Sequence, residues 1–272
     1  MTHTNSQPNK GQLVIVGTGI NVSGQMTATA TAEIKQADVV FAAIYGAPAF
    51  QYIKSLNNNI VDLTPLYSEG KSRKMTYQEM TDLMVSAARE GKKAVAAFYG
   101  HPGVFATPTH NAVTLCRAEG ITVRMEPGIS AEDCLIADLG IDSGLTGFQT
   151  FEANQFLYYK HSLNPHNTVV LWQIGIVGEH TFETFSRDTL ALGLSILTEK
   201  LLSFYPADQK VIIYRAATTA FEKTLIEEMP LSSLPQSNPC GMSTLVIPSR
   251  GLPEHDQSTM EKMGATAEKF SK

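Results

Sequence analysis

The chain has 272 residues, 43% of them hydrophobic and 17% charged, with a formal net charge of −5. That apolar content is enough for one large domain or two modest ones, and we read two. The acidic balance, with Lys71, Arg73 and Lys74 as its one cluster of cations, argues against a surface that tracks phosphates and hence against a nucleic-acid partner.

The polar opening, MTHTNSQPNKGQ, reads as a disordered leader over residues 1–11 without the apolar core of a signal sequence. No run approaches the roughly 20 apolar residues that span a bilayer, so no membrane partner is expected and the location is read as cytoplasmic. Cys116, Cys134 and Cys240 are an odd number without CxxC spacing, each in an apolar context, and are expected to be reduced core thiols.

QLVIVGTG (12–19) is predicted as a strand ending in glycines, and TATATAEIKQAD after it as a helix. ADVVFAAI (37–44) and NNIVDL (58–63) follow as strands. MTYQEMTDLMVSAAREG (75–91) carries Met80, Leu83, Met84 and Ala87 at helical spacing, with Thr76 and Glu79 as a capping box and Gly91 as its stop. KKAVAAFYG is the next strand, HNAVTLCRAEG a helix, and ITVRMEP a strand ending at Pro127 and Gly128. Strands alternating with helices imply a largely parallel sheet in an α/β layout. Beyond 127 fewer helices are expected, with strands at TVVLWQIGI, QKVIIYRAA and STLVIP, so the boundaries are set at 12–127 and 128–248, with a polar tail over 249–272.

Three glycine turns stand at predicted strand ends. GTG (17–19) is half of a dinucleotide fingerprint whose third glycine is displaced to Gly24, and a plain tight turn explains it as well. YGHPG (99–103) lies where parallel sheets bind ligands, with His101 either a ligand contact or a hydrogen-bonded loop histidine. EPGISAEDCL (126–135) ends a strand and lets Ser130 cap the next helix. If all three sit at the carboxyl end of one sheet, they outline a crevice. His101 and His110 have no third ligand in view, so no metal is expected.

GTG, YGHPGVFA (99–106), EPGISAEDCL, LWQIG (171–175), VIIYRAA (211–217) and STLVIP (243–248) resemble the tetrapyrrole methylase superfamily, whose members use S-adenosylmethionine. The resemblance covers residues 12–248 and implies two α/β domains with the cofactor cleft between them. Within the superfamily the likeness is to the borosin α-N-methyltransferases, which methylate backbone amides of a precursor peptide. They carry YGHPG where other members have an acidic residue in GDP, and a tyrosine, an arginine and a second tyrosine spaced as Tyr67, Arg73 and Tyr77 are here.

The resemblance implies cofactor contacts at Tyr99, His101, Val104, Thr107, Gln173, Ala216, Ser243 and Thr244, a homodimer, and catalysis by Tyr67, Arg73 and Tyr77. A backbone amide is a poor nucleophile because resonance draws its lone pair into the carbonyl, so its proton must leave and the oxygen must carry charge. Tyr77, expected in the first turn of a helix with Arg73 upstream, suits the base; Arg73 suits the charge stabiliser and Tyr67 a hydrogen-bonding partner, and the two tyrosines could exchange roles. The tail, 249–272, has no run like a core peptide, so a split system acting on a separate precursor is expected. A C-methyltransferase of a tetrapyrrole or other small molecule, and a peptide-binding module without catalysis, are the competing readings.

Overall fold

The computed structural model describes residues 11–68, 70–179 and 186–266; the leader apart from Gly11, and residues 267–272 of the tail, lie outside the described residues. Two compact units partition the chain. The first is Met1–Ile141 with Glu179–Leu190 and Tyr214–Ile226, and the second Asp142–Gly178, Ala191–Ile213 and Glu227–Lys272. The sequence divides once, at 127; in the structure the first unit continues through the turn at Gly128, whose Cα lies against Gly17, and takes back two later stretches.

The first unit runs β1 (Gln12–Gly17), α1 (Val22–Gln25), α2 (Ala28–Lys35), β2 (Val39–Ala43), α3 (Ala47–Leu56), β3 (Ile60–Asp62), a 3-10 turn (Thr64–Leu66), α4 (Arg73–Arg89), β4 (Lys93–Phe98), α5 (Thr107–Ala118), β5 (Thr122–Met125) and α6 (Ala131–Leu139). Its sheet has the order β3-β2-β4-β1-β5 with every pairing parallel. Strands buried on both faces read as continuous apolar runs, as VVFAA and KAVAAF do.

Alternation sorts their side chains. Leu13, Ile15, Phe41 and Ala96 pack with Met80 and Met84 of α4 on one face, while Val14, Val16, Val40 and Val95 pack with Ile34 of α2 and Ile53 of α3 on the other. Each large side chain so buried contributes about 1.5–3 kcal/mol.

Two caps decide where helices begin. The box expected at Thr76 and Glu79 is not the cap of α4: Ser72 is, accepting from the Met75 N–H at 3.3 Å, so the helix starts at Arg73. Thr76 lies inside, buried, and its hydroxyl donates to Leu66 O at 3.3 Å while Glu79 pairs with Lys71. A serine before two cations is the weaker signal in sequence, yet it frees Thr76 to hold the preceding loop. At α6 the expected cap is present in full. Ser130 Oγ accepts from the Asp133 N–H at 3.2 Å and the Asp133 carboxylate accepts from the Ser130 N–H at 2.6 Å.

The second unit holds α7 (Ser143–Thr146), β6 (Phe148–Glu152), α8 (Ala153–Tyr158), β7 (Thr168–Trp172) and a 3-10 turn (Ile174–Ile176). It continues with most of α9 (Arg187–Leu202) and β8 (Lys210–Arg215), then β9 (Leu225–Pro230), a 3-10 turn (Leu231–Gln236), β10 (Thr244–Ile247) and α10 (Gln257–Lys262). The sheet order is β6-β7-β10-β8-β9, with β6 parallel and β10 antiparallel to β7.

Lys200 of α9 closes the end of α8. Its Nζ donates to Leu157 O at 3.2 Å, to Tyr159 O at 2.7 Å and to Phe156 O, a cation at the negative end of a helix. This region has more helix than the sequence suggests, because α9 has leucines on more than one side and lacks a clean apolar stripe. Cys116 and Cys134 are buried as expected; Cys240 is exposed, because it sits in the turn before β10 and not in a strand. Among the described residues no helix is long and apolar enough to cross a membrane.

Ser130→Ala should lower stability by about 1 kcal/mol, since it leaves the Asp133 N–H without its acceptor. Equilibrium urea unfolding checks it, and an unchanged midpoint would show that the box contributes nothing.

Candidate active site

The three glycine turns do converge. Gly17, Thr18 and Gly19 follow β1, Tyr99 to Gly103 follow β4, and Pro127 and Gly128 follow β5, all at the carboxyl edge of the first sheet. Backbone meets backbone there: a Cβ on Gly17 would lie 2.4 Å from Gly100 O and 2.9 Å from Gly128 Cα, and one on Gly128 would lie 2.8 Å from the same oxygen. Gly19 and Gly100 exchange both backbone hydrogen bonds, at 3.3 and 3.0 Å, and both have positive φ, 74° and 70°. Glycine lets the three backbones approach this closely at the carboxyl edge, where α/β sheets receive cofactors.

Of the residues expected to touch the cofactor, Tyr99, His101 and Val104 are on the loop after β4 and Thr107 opens α5. The Tyr99 N–H donates to Ala43 O at 3.1 Å, pinning this loop to the end of β2, and burial pushes its phenol up to about 12. His101 Nδ1 accepts the Gly103 N–H at 2.9 Å, and His110 Nε2 lies 2.8 Å from Gly103 O. Two histidines thus hold both polar groups of one peptide turn, which gives His101 a loop-forming role and fixes its tautomer with the proton on Nε2. Val104 and Thr107 are exposed. Ala216, just past β8, also belongs to the first unit and is buried.

Gln173, Ser243 and Thr244 lie in the second unit and are brought together by the pairing of β7 with β10. Ile174 N–H donates to Ser243 O at 3.0 Å. Ser243 is fully buried, and its hydroxyl accepts the Cys240 N–H at 3.0 Å, so it is engaged in its own turn. Gly175 is packed so closely that a Cβ would fall 1.8 Å from Cys240 O. Gln173 has φ 60°, and Phe105, after the histidine turn of the first unit, has φ 51°; they are the only non-glycine residues with positive φ among those described.

The structure also assembles Tyr67, Arg73 and Tyr77. The Tyr67 and Tyr77 rings meet edge to face with centroids 6.5 Å apart. Lys71 Nζ and Thr76 Oγ1 both donate to Leu66 O, folding the Tyr67 loop onto α4, and Thr81 Oγ1 donates to Pro108 O at 3.2 Å, tying α4 to α5. Burial first, then the neighbouring Tyr45 and Tyr77, hold the Tyr67 phenol far above its ordinary range, and Arg73 pulls it down. Because the helix begins at Arg73, Tyr77 stands in its second turn, not its first, and the helix dipole does less for it than the sequence suggests.

A third phenol, which the sequence does not single out, belongs to this group: Tyr45, after β2, shares a side-chain hydrogen bond with Tyr67 and meets the Tyr99 ring edge to face at 6.1 Å. Its one signal in the sequence is an aromatic residue between a buried strand and Gly46.

Residues 12–235 match the family model described as Tetrapyrrole (Corrin/Porphyrin) Methylases. Among curated proteins, the methyltransferase/ribosomally synthesized type I borosin cyclic peptide precursor of Coprinopsis marcescibilis is 41% identical over 229 residues, 84% of this chain and 59% of that protein. The methyltransferase/ribosomally synthesized cyclic peptide omphalotin A precursor of Omphalotus olearius is 39% identical over 251 residues, 91% of this chain and 60% of that protein. The chain thus spans about three fifths of the length of these relatives. Among solved structures, uroporphyrin-III-C-methyltransferase from Thermus thermophilus aligns with TM-score 0.61 and 18% identity over 90% of this chain and 98% of that one. Diphthine synthase aligns with TM-score 0.59 and 14% identity over 95% and 98%. Both show the fold.

Gly17→Ala should destabilise the protein by about 1–3 kcal/mol, since its contacts are backbone atoms of Gly100 and Gly128 and the ring of Pro102, none of which can swing aside. Gly24→Ala, whose Cβ meets nothing within 3.7 Å, should leave stability unchanged or slightly raised. Thermal unfolding of the two variants distinguishes a structural glycine from one that only imitates a fingerprint.

Proposed function

The chain belongs to the tetrapyrrole methylase family, and from that premise we propose that it methylates backbone amide nitrogens of a peptide, supplied as a separate precursor, with S-adenosylmethionine as the methyl donor. The observation that carries this reading is the assembly of Arg73 and the Tyr77 phenol, in the first two turns of α4, with the phenol of Tyr67 on the loop before that helix. Methylation at carbon or of a small molecule has no evident use for such a group, whereas an amide needs both a proton acceptor and a cation.

When bound, S-adenosylmethionine supplies an electrophilic methyl group. The contacts that the resemblance implies for it are Tyr99, His101, Val104, Thr107, Gln173, Ala216, Ser243 and Thr244. Arg73, at the first position of α4, stabilises negative charge on the amide oxygen and on a phenolate beside it. The amide proton passes to the phenol pair of Tyr67 and Tyr77. A phenol whose pKa lies far above its ordinary range makes, once ionised, a strong base, which suits a very weak acid. The surrounding apolar packing excludes water and strengthens each of these interactions.

A homodimer is part of the same reading. On α9, Leu192 and Ile196 stand four residues apart on one side of the helix, 62% and 47% exposed, and such a pair could be covered by a second copy.

Incubation with S-adenosylmethionine and a precursor peptide, followed by tandem mass spectrometry, should show methyl groups on backbone nitrogens; methylation at carbon or oxygen only would overturn the reading. Methyl groups on the chain itself, with added peptide untouched, would replace the separate precursor by self-methylation. Arg73→Ala and Tyr77→Phe should each lose about a hundredfold or more in single-turnover rate, while calorimetry shows cofactor affinity within about twofold of the parent.

A further inference from the structure

We propose that Tyr45 is a positioning residue for this reaction, which holds the Tyr67 hydroxyl and connects the buried phenols to water. The inference rests on the peptide methylation proposed above and adds a residue to it.

Topology puts Tyr45 where it can act. In the order β3-β2-β4, the loop after β2 lies between the loop bearing Tyr67 and the loop bearing Tyr99. Two observations fix it there. Tyr99 N–H donates to Ala43 O, two residues before Tyr45, and Gly46 turns the chain at φ 90° into α3 immediately after it. The Tyr45 ring then meets Tyr99 edge to face on one side, and its hydroxyl meets Tyr67 on the other.

The direction of that hydrogen bond follows from the two environments. Tyr45 is the more exposed of the two, so its hydroxyl hydrogen is the one that water can accept, and we assign Tyr67 as the donor and the Tyr45 oxygen as the acceptor. Burial raises Tyr45 as well, but the residue is 55% exposed while Tyr67, Tyr77 and Tyr99 are all half-buried, so water screens that rise. Tyr45 is therefore the member of the group that faces solvent.

N-methylation releases one proton, and the half-buried pair must dispose of it. Tyr45 passes its hydroxyl proton to water and takes the Tyr67 proton in its place, and the amide proton enters the Tyr67 and Tyr77 pair. The amide nitrogen's electron pair forms the new bond to the methyl carbon as the carbon–sulfur bond breaks with its pair remaining on sulfur. Atoms and charge balance: one sulfonium charge is lost and one proton reaches solvent.

Tyr45→Phe tests this, since it keeps the ring on an exposed loop and removes only the oxygen. The variant should keep its thermal midpoint and cofactor affinity, and lose about tenfold or more in kcat with little change in KM for peptide. Added imidazole should restore part of that loss in the variant and leave the parent unaffected. A variant as fast as the parent, a loss confined to KM, or a loss that imidazole does not relieve would each overturn the proposal.

Alkaline titration of tyrosine absorbance in the free protein is a second readout. Tyr45→Phe should remove one titrating phenol and also shift another, Tyr67, to lower pH, because its acceptor is gone; loss of one independent phenol with no other change would overturn the hydrogen-bonded pair. A parent enzyme that leaves peptide unmethylated but shows the coupled titration would sink the function and spare the pair.

Discussion

Three backbone segments in the first unit occupy a space that no side chain can share. Gly17, Gly100 and Gly128 touch through Cα and carbonyl atoms, and the positions of the candidate residues follow from that contact. Gly100 can lie against both neighbours only if β4 ends at Phe98, and that places Tyr99 against the end of β2 and sets His101 at the head of its turn. A single methyl group at Gly17 would push the loop after β4 away from the loop after β1. The edge of the sheet is thus shaped by the absence of atoms, and the side chains around it inherit their directions from backbone packing.

The tyrosine group rests on a different balance. Desolvation disfavours a phenolate at Tyr67 and Tyr45, neighbouring phenols add to the penalty, and Arg73 opposes both. Arg73 stands at the first position of a helix, where a cation meets the positive end of the dipole and gains nothing from it. Its placement makes no sense as a helix-stabilising choice. What it does in the structure is oppose the desolvation of the Tyr67 and Tyr45 phenols, the effect that the proposed function draws on.

Much of the first unit was legible because buried parallel strands announce themselves as apolar runs ending in glycine, as at QLVIVG and KAVAAF. The convergence of the three glycine turns was legible for the same reason, since parallel strands put all their carboxyl ends on one edge. What sequence reading missed has physical causes. The first helical residues of α3 follow a glycine with no capping side chain, so Pro48 in the first turn is the one local mark of its start. β9 is exposed along almost its whole length and lacks an alternating pattern. Thr76 looked like a cap because spacing cannot tell a hydroxyl that serves its own helix from one that holds the preceding loop. Tyr45 was invisible because its partners come from loops 22 and 54 residues away, at Tyr67 and Tyr99, and only the strand order brings them together.

Phe105 and Gln173 occupy the left-handed region, a placement that costs an ordinary side chain roughly 1–2 kcal/mol. Each follows a strand and loop that carry candidate residues, one in either unit. Glycine or asparagine at either position would relieve the strain. A lineage selected for heat tolerance alone would therefore drift away from phenylalanine and glutamine at these two places first, and a lineage in which they persist is keeping the side chains for a reason that folding does not supply.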